Sequence, residues 1–281
     1  MEIAKDIEII DLCLYLKKEN ILILADTHIG YEEALNKQGI LIPRFQFKEI
    51  IERLEHVFNT LSKKISSGGW GTSLKKVKRS LYLSPLLKKD IEKKRIKNDE
   101  TDDNKKLLNK IIINGDIKHE FGTISEQEWR HTLRLLDFLS RYCDEVILIQ
   151  GNHDTILGPI AKKRNVKVLQ NYKIEEILIT HGDKIPPKEE LKGINTIIIG
   201  HEHPAVSIHE GPRTELFKCF LKGKWGNKTL IVQPSFNLVT EGTDVLKEQL
   251  LSPFLKQDIS NFEPFIVADK IYNFGKLKKL S

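Results

Sequence analysis

The segment Ile147-Leu-Ile-Gln-Gly-Asn-His-Asp154 joins a short apolar run to three polar residues in a row. The run is short and partly β-branched, which favours a buried strand over a helix. The glycine lets the backbone turn sharply, so the strand can end by presenting an amide, an imidazole and a carboxylate together. A rigid strand that delivers three such groups to one point is typical of a functional site.

Four other apolar runs of strand length end in the same way. They are Ile21–Ala25 before Asp26-Thr-His28, residues 111–113 before Gly115-Asp116, residues 177–179 before Thr180-His-Gly-Asp183, and Thr196–Ile199 before Gly200-His-Glu-His203. In open α/β sheets, ligands bind in the crevice beyond the carboxyl ends of the strands. We therefore expect the polar groups that follow these strands to meet in one crevice.

The remaining pattern predicts an α/β fold. Helical spacing relates Phe47, Ile50, Ile51, Leu54, Phe58 and Leu61, and also Trp129, Leu133, Leu136 and Leu139. Ser125 and Glu128 form a capping-box pattern before the second of these helices. Strands and helices alternate along the chain, and residues 216–221 and 229–232 have the pattern of further strands near the end. This alternation predicts a mixed or mainly parallel sheet with helices packed on it.

Residues 62–106 interrupt this pattern. The stretch begins with a turn-rich Ser66–Ser73 and is almost wholly charged from Lys88 to Lys106, so we expect a partly disordered surface insertion with one short helix. The basic character of this stretch fits contact with nucleic acid. A solvent-exposed loop without a partner explains the same composition equally well. We predict a single domain over residues 1–275 that contains this insertion, followed by a frayed tail over residues 276–281.

Composition bounds the class of protein. Of the 281 residues, 40% are hydrophobic and 30% are charged, which is globular composition. No apolar run approaches the ~18 residues of a membrane span, so we expect no membrane association. Three separated cysteines without a CxxC motif favour a reduced, cytoplasmic protein. The net charge of +6 mildly favours an anionic partner, although a lysine-rich solvated surface accounts for it as well.

The polar groups at the strand ends form a donor set for metal ions. In Asp-x-His and His-x-His, residues two apart in extended chain point to the same side, so each pair can hold one ion. Each motif is common by itself, but five of them in succession favour a metal site over coincidence. Oxygen and nitrogen donors without cysteine suit Mn²⁺ best, with Fe or Zn²⁺ as alternatives. The donors outnumber the needs of one ion, which predicts two ions bridged by the central Asp116.

The order of these motifs from Ile21 to His203 resembles that of the calcineurin-like metallophosphoesterase superfamily. Three segments are similar to the DNA-ligase-associated phosphoesterases and their archaeal relatives: Ala25-Asp-Thr-His-Ile-Gly30, Gly39-Ile-Leu-Ile-Pro43 and Gly200-His-Glu-His-Pro-Ala205. Gly115-Asp-Ile-Lys-His119 also resembles the nucleases that process double-strand breaks. The resemblance implies a four-layer α-β-β-α sandwich built on two facing sheets.

The same resemblance implies a role for each residue of the motifs. One ion would be held by Asp26, His28, Asp116 and His203, and the other by Asp116, Asn152, His181 and His201. His153 would face the phosphate without binding metal, and Asp154 would orient it or support it electrostatically.

Other residues depart from the family pattern or carry weaker signals. Many members have an aspartate where this chain has His119, while the repair nucleases have histidine there. We expect His119 either to pair with His153 or to lie behind it or in solvent.

Arg44 is a candidate for holding phosphate oxygens, with a surface salt bridge as the alternative. Tyr31, Lys118 and Glu120 are candidates for the edge of the cleft. Because 78 residues follow His203 (281 − 203), we expect no DNA-capping domain like that of the repair nucleases.

The implied reaction is phosphoester hydrolysis, in which a metal-bound hydroxide attacks phosphorus. The leading interpretation is a binuclear phosphodiesterase, with a nuclease on DNA or RNA as one form of it. Two alternatives stay open: a nucleotide or small-molecule phosphatase or pyrophosphatase, and a non-catalytic nucleic-acid-binding module. The sequence contains no obvious aromatic and basic platform for stacking bases. It gives no indication of oligomeric state.

Overall fold

The structure is a computed structural model that describes residues 1–67, 106–121, 124–155 and 157–280. Most of the predicted insertion, residues 68–105, therefore lies outside the described residues. Residues 62–67, assigned to that insertion from the sequence, instead complete a long helix. Among the helices of the described residues, none is long and apolar enough to cross a bilayer.

Within the described residues, the first sheet contains seven strands in sequential order. They are β1 (Glu2–Ala4), β2 (Ile7–Ile10), β3 (Cys13–Leu16), β4 (Ile21–Ala25), β5 (Leu108–Asn114), β6 (Cys143–Ile149) and β7 (Lys167–Leu169). Strands β1 to β4 pair antiparallel, and β4 to β7 pair parallel. The α-helices of the described residues are α1 (Tyr31–Lys37), α2 (Gln46–Ser67), α3 (Glu126–Leu139) and α4 (Gly158–Arg164). The capping box predicted from Ser125 and Glu128 is present at the start of α3.

The second sheet contains nine strands in the part of the chain that the structure describes. They are β8 (Asn171–Ile174), β9 (Ile177–Thr180), β10 (Thr196–Ile199), β11 (Pro204–Glu210), β12 (Arg213–Trp225), β13 (Lys228–Val232), β14 (Thr243–Asp244), β15 (Glu263–Val267) and β16 (Ile271–Asn273). The main order is β14-β11-β12-β13-β10-β9-β8, and β15 joins β12 to β16. Strand β10 runs parallel to both β9 and β13, so these three strands end at the same edge.

The two sheets face each other across a shared core. Alternate residues of a strand point to opposite faces, and Ile198 and Phe220 pack into the core that the first sheet also lines. Their neighbours Ile197 and Leu221 belong to a separate cluster on the outer face. Two facing sheets confirm the predicted α/β sandwich. Among the described residues, irregular segments and short 3₁₀ turns cover the outer face of the second sheet.

The five strands that end in polar motifs are divided between the sheets. Strands β4, β5 and β6 belong to the first sheet, whereas β9 and β10 belong to the second. Their ends still meet, because hydrogen bonds join the sheets at this edge. The Phe236 backbone N–H donates to the carbonyl oxygen of Ala25 at 2.7 Å, and the Gln233 amide donates to that of Ile23 at 3.3 Å. One crevice is therefore formed by two sheets.

The prediction of a frayed tail from residue 276 is wrong for the described part of it. The Leu277 side chain is only 1% exposed and packs under the second sheet. Its backbone N–H donates to the Phe262 carbonyl at 2.8 Å, and the Lys278 N–H donates to the Ser260 carbonyl at 3.0 Å. One apolar side chain and two backbone hydrogen bonds are enough to dock the segment.

Candidate metal centre

Five of the predicted site residues have a left-handed backbone conformation. Their φ angles are 53° at Asp26, 42° at His28, 38° at Asp116, 65° at His201 and 51° at His203. This conformation is uncommon for residues other than glycine and costs about 1–2 kcal/mol each. These residues follow β4, β5 and β10, where they turn the chain back toward the crevice. Backbone strain of this kind clusters at functional sites.

Hydrogen bonds hold the loops after β4 and β5 side by side. The backbone N–H of His28 donates to the Asp116 carbonyl at 2.9 Å, and that of His119 donates to the Ile29 carbonyl at 3.0 Å. In the second sheet, the Gly200 N–H donates to the His181 carbonyl at 2.8 Å. These bonds extend the pairing of the strands past their ends, so the side chains of the loops are held in fixed positions.

Two glycines permit the closest approaches in the crevice. A Cβ atom on Gly115 would lie 1.9 Å from Nδ1 of His181, and Gly115 also has a φ of +86°. A Cβ atom on Gly151 would lie 2.1 Å from Oδ1 of Asp116. Any larger residue would displace a predicted ligand, which explains why glycine precedes Asp116 and Asn152 in the sequence.

Four predicted ligands of one ion converge. Nε2 of His28 lies 3.3 Å from Nε2 of His203 and 3.8 Å from Oδ2 of Asp116. Nε2 of His203 lies 3.5 Å from Oδ2 of Asp26. The two carboxylates and two imidazoles thus direct their donor atoms at one another rather than toward solvent.

The predicted ligands of the other ion converge as well. Nε2 of His181 lies 2.9 Å from Oδ1 of Asn152, 3.2 Å from Nδ1 of His201 and 3.4 Å from Oδ2 of Asp116. The same oxygen of Asp116 therefore faces both groups of donors. The structure brings all seven predicted ligands together, with Asp116 between the two groups.

The chemistry of these donors fits divalent cations. Asp26, Asp116 and His181 are almost completely buried. Oδ1 of Asp26 and Nδ1 of His181 lie 3.4 Å apart, and within the described residues neither atom makes a hydrogen bond. Buried polar atoms are normally hydrogen-bonded, so atoms without partners call for an ion or a water. Buried carboxylates beside imidazoles are the ligands of Mn²⁺, Fe and Zn²⁺.

The model of the calcineurin-like phosphoesterase family matches residues 19–221. This span contains every predicted metal ligand. The chain belongs to the calcineurin-like phosphoesterase family. Family membership indicates a phosphoric ester hydrolase that uses divalent metals. No curated protein sequence matches this phosphoesterase at a significant level.

Solved structures of low sequence identity resemble this phosphoesterase. A nuclease from Pseudomonas putida is 16% identical, with a TM-score of 0.53 over 95% of this chain and 93% of that one. A predicted phosphoesterase from Streptococcus pneumoniae is 12% identical, with a TM-score of 0.29 over 91% and 97% of the two chains. A protein of unknown function from Aquifex aeolicus is 19% identical, with a TM-score of 0.32 over 65% and 78%. The first of these supports the fold of the phosphoesterase, and its identity is too low to carry more.

The electrostatics of the phosphoesterase site favour the forms that bind metal. Burial lowers the pKa of His28 to about 3, and the nearby His203 adds to the effect. Burial would raise the pKa of Asp116, but the hydrogen bond and charge of His181 outweigh it, so this pKa falls. Neutral imidazoles and ionised carboxylates are the protonation states that ligate metals. His181 is the exception, because Asp116 and Asp26 outweigh burial and raise its pKa to about 9.

His153 lies beside both donor groups. Its Nε2 is 4.0 Å from Oδ2 of Asp116, and its backbone N–H donates to Oδ1 of the same residue at 2.9 Å. Its Nδ1 contacts the carbonyl oxygen of His119. A carbonyl can only accept, so Nδ1 carries the proton and Nε2 faces the centre of the crevice.

His119 contacts this site through its backbone carbonyl and through its ring. Its carbonyl oxygen holds His153, while its ring Nδ1 lies 3.4 Å from Nδ1 of His28. The ring is half-buried, and burial lowers its pKa to about 4 with a further effect from His153. The ring nitrogens of His28, His119 and His153 form a third group within 4.8 Å. The structure therefore places His119 inside the cluster, with its ring only partly exposed.

Asp154 does not take the position expected of a partner for His153. Within the described residues, both hydrogen bonds of its carboxylate come from backbone N–H groups, of Gly151 at 3.1 Å and Ile117 at 3.3 Å. Burial, with the nearby charge of Asp116, raises its pKa to about 7. Asp154 thus joins the loops after β5 and β6 through these two hydrogen bonds.

The residues predicted for the edge of the cleft divide into two kinds. Arg44 is exposed, and its Nη1 lies 3.4 Å from Oε1 of Gln127, which is an amide contact rather than a salt bridge. Tyr31 contacts the His119 ring with 4.4 Å between ring centroids. Lys118, however, is fully buried, and its ammonium donates to the carbonyl oxygens of Glu120 and His153, at 2.7 Å for the latter. Lys118 therefore joins two loops by hydrogen bonds and does not lie at the edge of the cleft.

Sequence reasoning missed two residues that shape the site. The buried Gln46 side chain donates to the His28 carbonyl at 2.9 Å and thereby holds a left-handed turn. Phe121 is 62% exposed and lies against the His153 ring. Neither belongs to a recognisable motif, and the contact of Gln46 spans 18 residues of sequence. A glutamine at the start of a helix and a phenylalanine after His119 carry no local signal of these roles.

Proposed function

We propose that this chain is a phosphodiesterase that uses two divalent cations and acts on nucleic acid. The observation that supports it most is the position of Oδ2 of Asp116 between two converging groups of donors. Asp26, His28 and His203 would hold one cation with Asp116. Asn152, His181 and His201 would hold the other with it. Mn²⁺ is our first choice because the donors are carboxylate, amide and imidazole.

Divalent cations, when bound, supply acidity to a water molecule and neutralise charge on phosphoryl oxygens. The protein contributes fixed ligands, since left-handed turns and hydrogen-bonded loops hold them before substrate arrives. Fixed donors need no reorganisation as charge develops in the transition state. The crevice therefore has the rigidity that this chemistry requires.

In this proposal, His153 protonates the leaving oxygen. Its Nδ1 is occupied by the carbonyl of His119, so Nε2 of the protonated ring is the atom that donates. The Lys118 ammonium fixes the His153 carbonyl at 2.7 Å, which helps to hold the ring toward the substrate. General acid catalysis of this kind contributes about 10²–10⁴ in rate.

Several observations support nucleic acid as the substrate class. The solved structure from P. putida that shares this fold is a nuclease. The chain carries a net charge of +6, which favours a polyanion. The motifs similar to DNA-ligase-associated phosphoesterases extend the proposal to a role in DNA repair. The buried free thiols of Cys13, Cys143 and Cys219 agree with a reducing cytoplasm.

The test is a substrate screen on purified protein, stripped of metal and reconstituted with Mn²⁺, Zn²⁺ or Fe²⁺. The esters are bis-p-nitrophenyl phosphate, its monoester, cyclic nucleotides, and single- and double-stranded DNA. We expect metal-dependent hydrolysis of diesters, and loss of both metal and turnover in Asp116→Asn. Turnover confined to monoesters would assign a phosphatase instead. Failure with every metal and ester would contradict an enzyme and favour a binding module.

A further inference from the structure

Phe121 is an exposed aromatic ring at the edge of the candidate site. Its side chain is 62% exposed, and its ring centroid lies 3.7 Å from that of His153 with 32° between the planes. The ring therefore contacts the histidine assigned to the leaving oxygen while most of its surface stays open to solvent. A large apolar surface kept open at this position is available for substrate.

The backbone before Phe121 is held firmly. The N–H groups of His119 and Glu120 both donate to Oε1 of Glu128, at 3.2 and 2.8 Å. Glu128 is the buried capping-box residue of α3, and the ammonium of Lys118 holds the Glu120 carbonyl. Phe121 thus follows directly after a fixed segment. A ligand that stacks on its ring would therefore remove little conformational entropy from the chain.

Two exposed residues that immediately precede Gln46 in the chain have matching character. Phe45 is exposed and immediately precedes Gln46, whose amide contacts the His28 carbonyl. Arg44 is an exposed cation whose guanidinium reaches Gln127 in the first turn of α3. Aromatic rings and cations along one groove are the common means of binding single-stranded nucleic acid, because every base offers a π-face and every linkage a negative charge.

We propose that Phe121 stacks on an unpaired nucleobase of the leaving nucleoside, next to the scissile phosphodiester. The inference rests on the proposed phosphodiesterase activity. If Nε2 of His153 faces the leaving oxygen, the ring that contacts His153 adjoins the group that leaves. A base within a duplex is stacked on its neighbours and cannot offer its face, so the substrate is single-stranded or has a frayed end.

The test uses substrates that contain a single phosphodiester bond. They are a thymidine dinucleotide and two analogues, each of which lacks one of the two bases. In the wild-type protein, we expect the analogue that lacks the base of the leaving nucleoside to lower kcat/KM by about tenfold to a hundredfold, the effect expected for one stacked base. The hydrolysis products identify the leaving nucleoside, and a loss confined to the other analogue overturns the inference. Phe121→Leu should lower kcat/KM for the complete dinucleotide by the same factor. For the analogue that lacks the base of the leaving nucleoside, the variant should have the same kcat/KM as the wild-type protein. Phe274→Leu, at an aromatic residue 48% exposed near the last strand, should behave as wild type.

The alternative outcomes are distinct. If Phe121→Leu slows the complete dinucleotide and both analogues equally, Phe121 only positions His153 and the inference is overturned. If the protein hydrolyses bis-p-nitrophenyl phosphate but no dinucleotide, the nucleobase assignment fails and the phosphodiesterase stands.

If no ester is hydrolysed, the proposed function fails, and fluorescence anisotropy of a labelled thymidine oligomer with metal-free protein decides the inference. In that case Phe121→Leu must weaken binding of the thymidine oligomer about tenfold and leave binding of an abasic oligomer unchanged. If the substitution weakens binding of both oligomers equally, the inference is overturned.

Discussion

At the scale of single residues, Asp116 has two structural tasks. Its Oδ1 accepts the backbone N–H of His153 at 2.9 Å, and its Oδ2 faces both groups of donors. Asp116 makes both contacts from a left-handed backbone conformation, with a φ of 38°. The carboxylate thereby links the position of the candidate acid to the position of the metal ligands.

The first prediction concerns His153. His153→Ala should retain its metal content and lose at least about tenfold in kcat for a phosphodiester, because a proton donor is removed while the ligands remain. Elemental analysis alongside steady-state kinetics measures both quantities. His209→Ala, at an exposed histidine of β11, should match wild type in both. An inactive His153→Ala protein without metal would make His153 a ligand.

The second prediction concerns Gly151. Gly151→Ala should deplete bound metal and abolish turnover, because its Cβ would lie 2.1 Å from Oδ1 of Asp116. The matched control is Gly158→Ala at the start of α4, where a Cβ atom meets nothing within 4 Å. Metal content per chain is the measurement, and a Gly151→Ala protein that keeps its full complement of metal contradicts the packing argument.

The identity of the clustered donors could be predicted from sequence, because each follows a strand directly. The contacts of Gln46, Lys118 and Phe121 could not. The sequence predicts Lys118 for the edge of the cleft, yet its side chain is buried and its ammonium donates to the carbonyl of His153, 35 residues away. Which long side chain bends inward to reach a distant carbonyl depends on tertiary packing, and no local pattern encodes it.

At the scale of elements, the segment after β14 secures the loops of the second sheet. Glu202 lies between His201 and His203, and its Oε2 accepts the backbone N–H groups of Leu251 and Ser252 at 2.9 and 2.8 Å. The Ser252 hydroxyl donates in turn to the Gly182 carbonyl, beside His181, at 2.8 Å. Three predicted ligands thus depend on one buried carboxylate, the residue of the Gly200-His-Glu-His203 motif to which the sequence assigned no role.

The third prediction is that Glu202→Ala lowers the free energy of unfolding by about 1–3 kcal/mol, since a buried N–H loses its acceptor. It should also weaken metal binding, because the loops that carry His181, His201 and His203 lose a common anchor. Chemical denaturation and metal titration measure the two effects. Glu52→Ala, on the exposed face of α2, should change stability by no more than about 0.5 kcal/mol. Equal effects of the two substitutions would remove the anchoring role.

The elements differ in how far sequence reveals them. Strands β4 and β10 have the bounds expected from their apolar runs, since buried strands contain continuous branched residues. Strands β1 to β3 were not predicted, although Ile7 and Ile9 alternate with polar neighbours. Their turns contain Asp6 and Asp11 with positive φ, at 61° and 58°. Aspartate in such turns is a weaker signal than glycine, which explains why short hairpins are missed.

At the scale of the whole molecule, the candidate site lies between two sheets. Asp26, His28, Asp116 and Asn152 follow strands of the first sheet, and His181, His201 and His203 follow strands of the second. The sequence predicted that the strand ends would meet, and it did not predict which strands share a sheet. Pairing of β4 with β5 rather than with β9 depends on how the full chain packs, which short apolar runs do not specify.

The fourth prediction follows from this division. Divalent cations should raise the melting temperature, because ligands from both sheets would bind the same ions only in the folded state. At a free concentration 100 times Kd, one ion stabilises the fold by about 2.7 kcal/mol. Calorimetry with and without Mn²⁺ measures the shift, and Asp116→Asn should show little of it. A wild-type melting temperature that ignores Mn²⁺, Fe²⁺ and Zn²⁺ alike would argue against a site that joins the sheets.

The central claim is that this crevice holds a pair of cations that share Asp116. Anomalous diffraction from crystals soaked in Mn²⁺ tests it most directly. We predict two peaks, one among Asp26, His28, Asp116 and His203, and one among Asp116, Asn152, His181 and His201. A single peak among these residues, or none, would contradict the account.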